Sequence, residues 1–134
     1  MKRTIKVLVA IFVVVFLSAV PALAALPLIT GTRAGEQIMG TSKAEELRGL
    51  GGSDEISDGL GRDLVYGGRG ADNLIGYGGD TSLDRFYGGR GNDIFQPRDV
   101  PAVKDVVICG SGTDTVYADK ADVVRDDCER VKAW

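Results

Sequence analysis

Nine residues, Gly88-Gly89-Arg90-Gly91-Asn92-Asp93-Ile94-Phe95-Gln96, constrain this chain more than any other stretch, because the chain repeats them. Gly67 to Ile75 is a near copy, with glycines in first, second and fourth place, aspartate in sixth and an apolar residue in eighth. Counting back in nines, the sixth place falls on Asp63, Asp54, Glu45 and Glu36, and the eighth on Val65, Ile56, Leu47 and Ile38. Counting forward, the acids are Asp84, Asp93, Asp105 and Asp114, with apolar partners Phe86, Phe95, Val107 and Val116. Three extra residues precede Asp84 and three precede Asp105, so nine repeats run from Gly31 to Tyr117. A fixed internal period of this kind decides the architecture before local propensities are consulted.

Each unit reads as a six-residue turn followed by a three-residue strand. The early glycines allow a tight turn, the acid closes it, and a lone apolar side chain between two outward neighbours fits the two-residue period of a strand. One unit has no core. Stacked units share one.

The form G-G-x-G-x-D-x-U-x in Gly67–Ile75 and Gly88–Gln96, where U is apolar, resembles the RTX, or haemolysin-type, calcium-binding repeat. The resemblance implies an all-β, right-handed parallel β-roll, a β-solenoid of about nine nonapeptide half-turns with two nonapeptides to the turn. Alternate loops then share an edge. The first edge carries the loops ending in Glu36, Asp54, Asp72, Asp93 and Asp114, and the second those ending in Glu45, Asp63, Asp84 and Asp105. Both insertions fall on the second edge, so the first is expected to hold the calcium ladder. Calcium takes about 6–8 oxygen ligands, more than one short loop supplies. Strands about 4.8 Å apart let an ion bridge successive coils. The expected ligands are the carboxylates of Asp54, Asp72, Asp93 and Asp114, with loop positions Gly49, Gly51, Gly67, Arg69, Gly88, Arg90 and Gly110. Asp63 is the candidate on the second edge. The loops Gly31–Glu36 and Gly40–Glu45 lack the glycine pair and carry Glu, and are expected to form a metal-free start. A core one side chain thick and a row of acids point to folding coupled to calcium. A metal-free solenoid would also use Gly-Asp turns, but acids in register repel unless protonated or neutralised.

The ends have their own signals. Lys2, Arg3 and Lys6 precede an apolar run from Val7 to Val20, followed by Pro21-Ala22-Leu23-Ala24-Ala25. This is the pattern of a secretory signal peptide, residues 1–24. The rival is a retained anchor, but a span needs about 20 apolar residues and Pro21 ends the run early. The expected organisation is residues 1–24 signal, 25–117 repeats and 118–134 a C-terminal cap. Without the signal, 13 basic residues face 19 acidic ones, a net charge of −6, and histidine is absent. That balance suits a cation and not nucleic acid. The two cysteines, Cys109 and Cys128, are 19 residues apart, one coil of 18 plus one. One coil along an edge is about 4.8 Å, within disulfide reach, so a bridge is expected to pin the cap. A zinc site is the rival but would lack histidine.

No catalytic function is expected: there is no Ser/His or Cys/His pair, and the acids belong to the ladder. The expected function is a secreted, extracellular calcium-binding protein with no stable membrane span after cleavage. A second reading is a structural or adhesive solenoid binding a surface through the outward row Tyr66, Tyr87 and Ile108. A third is a carboxylate hydrolase on a solenoid.

Overall fold

The computed structural model describes residues 25–133, so the expected signal peptide lies outside the described residues. Twelve strands follow one another: β1 (Leu28–Thr30), β2 (Gln37–Met39), β3 (Glu46–Arg48), β4 (Glu55–Ser57), β5 (Leu64–Arg69), β6 (Asn73–Ile75), β7 (Arg85–Arg90), β8 (Ile94–Gln96), β9 (Val106–Ser111), β10 (Thr115–Ala118), β11 (Val123–Val124) and β12 (Arg130–Ala133). Odd strands form one parallel sheet and even strands the other, each in sequence order. Two strands make one coil, and six coils make a parallel β-solenoid. In the odd sheet Val65, Phe86 and Val107 stand in register. In the even sheet Ile56, Leu74 and Phe95 do the same.

The twelve half-turns exceed the nine counted in the sequence by β1, β11 and β12. β1 precedes the first loop. β11 and β12 follow loops shortened to four and five residues (119–122 and 125–129), which a nine-residue count passes over. The segment after residue 117 therefore closes the stack by continuing both sheets, with β11 on β9 and β12 on β10.

The core is two facing files, each one side chain wide. Ile38, Leu47, Ile56, Val65, Leu74, Phe86, Phe95, Val107 and Val116 are all buried, as their eighth-place position predicts. Strands of three residues can turn only the middle one inward. The odd-sheet file ends with Ile29 and Val124, partly buried against the core, and the even-sheet file with Val131, which is exposed. Cys109 and Cys128 form the expected disulfide, Cα to Cα 5.3 Å, tying the end of β9 to the loop before β12.

Coils this close leave no room beside the loop backbone. Gly91 has φ +141°, and a Cβ there would overlap the carbonyl oxygen of Gly70 one coil earlier. Gly112 stands in the same relation to Gly91. Gly79, in the first insertion, also has positive φ (+127°) but no atom within 4 Å of its would-be Cβ. The pair separates backbone strain from close approach. Gly79→Ala should cost on the order of 1–2 kcal/mol, the usual penalty for an L-residue in that region, and Gly91→Ala distinctly more. Urea melts of the oxidised protein measure both, and equal losses would contradict the close-packed loop column.

Candidate metal centre

Along each edge the acids form a hydrogen-bonded ladder. The backbone N–H of each acid donates to a carboxylate oxygen of the acid one coil later. On the first edge Glu36 donates to Asp54 Oδ1 (2.9 Å), Asp54 to Asp72 (2.9 Å), Asp72 to Asp93 (2.9 Å), Asp93 to Asp114 (2.7 Å) and Asp114 to Glu129 Oε2 (2.8 Å). On the second edge Glu45 donates to Asp63 (2.6 Å), Asp63 to Asp84 (2.7 Å), Asp84 to Asp105 (2.9 Å) and Asp105 to Asp122 (3.2 Å). The sixth place of the repeat demands an acid for this reason before any metal is considered. An acid at the turn's end reaches one coil back to accept that N–H.

The ladder uses one oxygen of each carboxylate. The other is buried without a hydrogen-bond partner in Asp54, Asp72, Asp93 and Asp114 on the first edge, and in Asp58, Asp63, Asp99 and Asp105 on the second. An unpartnered buried polar atom costs about 1–3 kcal/mol, more if charged, so eight of them require a proton or a cation. The first edge fits a cation. A Cβ on Gly67 would meet Asp72 Oδ2 at 2.5 Å and the carbonyl oxygen of Gly88 at 2.8 Å. A Cβ on Gly88 would overlap Asp93 Oδ2 and meet Cys109 O at 2.5 Å, and Gly49 stands likewise to Asp54 Oδ2 and Gly67 O. At each loop's first glycine a carboxylate oxygen and a carbonyl oxygen of the next coil therefore converge. Such oxygen donors suit a hard cation.

The first loop on each edge resolves its acid differently. Thr32 donates its backbone N–H (2.7 Å) and hydroxyl (2.6 Å) to the Glu36 carboxylate. Thr41 does the same for Glu45 at the same two distances. The longer glutamate folds back onto its own loop, and the threonine in second place supplies what a cation would. The metal-free start expected for these loops has this geometry behind it.

Other expected positions divide into two groups. Gly49, Gly67 and Gly88 sit at the convergent oxygens. Gly51, Arg69 and Arg90 occupy third place in their loops, where Arg69 and Arg90 pair across coils and Arg90 O accepts the Gly70 N–H at 2.8 Å. Gly110 occupies second place, its would-be Cβ overlapping Gly89 O. Asp63 lies on the second edge beside acids that the sequence reading did not place in a site. One carboxylate oxygen each from Asp58, Asp63 and Asp84 lie within 4.8 Å of one another, all three residues buried. Asp80 and Asp99, carried by the insertions, are buried on the same edge. Their signal was present, since both insertions contain an Asp, but counting in nines treats inserted residues as padding. The tyrosines of the outward row are occupied with each other: Tyr66 and Tyr87 stack at 4.7 Å with planes 10° apart, and Arg48 lies 5.7 Å over Tyr66.

Burial pushes these carboxyls up, with neighbouring acids adding to it. Asp58 is raised to about 8, Asp63 and Asp84 to about 7, and Asp93 and Asp122 to about 6. Asp105 is raised by burial and by Asp99 beside it. A carboxyl that titrates higher when folded favours the folded state in its protonated form. In chelator, stability should therefore rise as pH falls from about 8 toward the unfolded carboxyl value of about 4, whereas any affinity of these oxygens for a cation should fall over the same window. Urea melts in chelator at pH 5 and pH 8 measure the first. Greater stability at pH 8 would contradict it.

The family model of the RTX calcium-binding nonapeptide repeat (4 copies) matches residues 39–74, 48–83 and 67–95. No curated protein and no solved structure matches the chain. The matched span covers the ladder from Glu45 to Asp93 on both edges. The chain is a parallel β-solenoid whose residues 39–95 match the model of the RTX calcium-binding nonapeptide repeat.

Proposed function

We propose that this is a secreted calcium-binding β-roll whose stack becomes stable when calcium occupies the first-edge ladder. One observation carries the reading: Asp54, Asp72 and Asp93 each keep a buried, unpartnered carboxylate oxygen at the point where a first-place glycine leaves room and the next coil's carbonyl converges. Asp114 continues the row with its own unpartnered oxygen. These four carboxylates, with the loop carbonyls at Gly49, Gly67, Gly88 and Cys109, would hold the ions between successive coils. A bound cation supplies the charge that the buried carboxylates lack. Calcium suits such a set better than magnesium, which needs near-ideal octahedral geometry and sheds water reluctantly.

Extracellular calcium fits the remaining features. The N-terminal signal pattern, the disulfide and the family's repeats agree with export, and an oxidising compartment preserves Cys109–Cys128. No helix among the described residues is long and apolar enough to cross a membrane. With the carboxylates ionised and unpaired, the thin core is opposed by the row of buried charge, so the chain would leave the cell unfolded and order outside. Surface adhesion through Tyr66, Tyr87 and Ile108 is the less favoured reading, because the tyrosines already satisfy one another by stacking.

Far-UV circular dichroism of the oxidised chain, titrated with calcium and then magnesium at pH 7.5, tests the proposal. A coil-like spectrum in chelator should convert to β with calcium and not with magnesium. Asp72→Asn with Asp93→Asn should move the calcium midpoint up by on the order of tenfold or more, since ligand charge sets affinity in such sites. A β spectrum complete in chelator and indifferent to calcium would sink the folding switch.

A further inference from the structure

We propose that the second edge holds a separate cation site, formed by Asp58, Asp63 and Asp84, whose ligand set differs from that of the repeat. The inference rests on the calcium reading for its cation class but not for its residues. In the other six-residue loops the first place is Gly31, Gly40, Gly49, Gly67, Gly88 or Cys109. In the loop 58–63 it is Asp58, so that loop carries a carboxylate at both ends. On the first edge the same place is where a Cβ would run into the ladder aspartate. Here the chain puts a whole carboxylate beside Asp63.

The three carboxylates are held from behind and open toward one another. Asp58 Oδ1 accepts the Tyr77 N–H at 2.8 Å, Asp63 Oδ1 that of Glu45 at 2.6 Å and Asp84 Oδ1 that of Asp63 at 2.7 Å. Asp58 and Asp63 are fully buried, 0% exposed, and Asp84 is 1% exposed. Asp58 Oδ2 and Asp63 Oδ2 have no hydrogen-bond partner, which is the second observation, independent of the clustering. Three buried carboxylates this close repel one another strongly unless a cation lies among them.

The first insertion accounts for the enclosure. Residues 76–84 form the long loop of the next coil, and Asp80 within it pins that loop to the loop 58–63: Asp80 Oδ2 accepts the Gly61 N–H at 2.9 Å. Its Oδ1 accepts Thr81 N–H (2.6 Å) and Ser82 N–H (2.9 Å), which shapes the turn. Asp80 is a positioning residue, and the ligands are the other three. The three extra residues thus lengthen the edge and add an acid above the site. With three carboxylates where a first-edge loop contributes one, the site should bind a hard cation more tightly than the ladder and gain more from replacing calcium with a trivalent ion.

Calorimetric titration of the oxidised chain with calcium, and separately with terbium, tests this on the unaltered protein, on Asp58→Gly and on Asp72→Asn/Asp93→Asn. Asp58→Gly restores the residue that the repeat uses in first place, so it should keep the calcium-loaded β spectrum. We expect it to weaken or remove the tightest ion by tenfold or more, while the double first-edge variant retains that ion. An unchanged tightest site in Asp58→Gly overturns the proposal, as does an unaltered chain that binds neither ion. If the double variant alone leaves calcium-induced folding untouched, the ladder reading fails and the second-edge site stands.

Discussion

The structure depends on one bond repeated along two edges: the N–H of one turn-closing acid to the carboxylate of the acid one coil later. It fixes the coil spacing at the loops, where there is no apolar packing to do so. The inward files of single residues hold the sheets together, but they say nothing about how one loop sits on the next. The ladder does. It also determines the chemistry, because a carboxylate tethered by one oxygen presents the other in a fixed direction, buried, and unable to find water. On the proposed reading a cation and a proton would compete for that oxygen, linking metal binding, acidity and folding through the same atoms.

Much of this was legible in the sequence. The nine eighth-place residues are the core, the two edges separate as the spacing of nine implies, and the Cys109–Cys128 separation matches one coil. What the period could not show lies where the period breaks. Asp80 and Asp99 sit in insertions, and no count in nines assigns them a partner. Asp58 keeps its place in the count but is the wrong residue for it, and only three-dimensional proximity to Asp84, 26 positions away, reveals what it is beside. β11 is the apolar pair Val123-Val124 and β12 has Val131, but the shortened loops before them hide that they belong to the two sheets. The sequence also offered repulsion between stacked acids as the argument for metal. The ladder hydrogen bonds relieve part of that repulsion, and the argument passes instead to the unpartnered second oxygens.

The two ends of the ladder are finished in different ways. Glu36 and Glu45 have no acid one coil earlier to receive an N–H from, so their carboxylates turn to Thr32 and Thr41 within their own loops. At the other end the donors of Asp114 and Asp105 are met by Glu129 and Asp122, the acids of the two shortened loops. None of the four end acids Glu36, Glu45, Glu129 and Asp122 keeps a buried unpartnered oxygen, and the carboxylates that do lie in the coils between them.

That confinement makes the length of the stack adjustable in one particular unit. Removing eighteen consecutive residues from the middle, such as 54–71, would join like to like: every ladder bond, core file and end loop would find the same kind of neighbour as before. Removing nine would exchange the edges from that point on and set the long second-edge loops above the short first-edge ones. Chains of this design can therefore grow and shrink over generations by whole coils, while the half-coil, which is the unit visible in the sequence, is the step they cannot take.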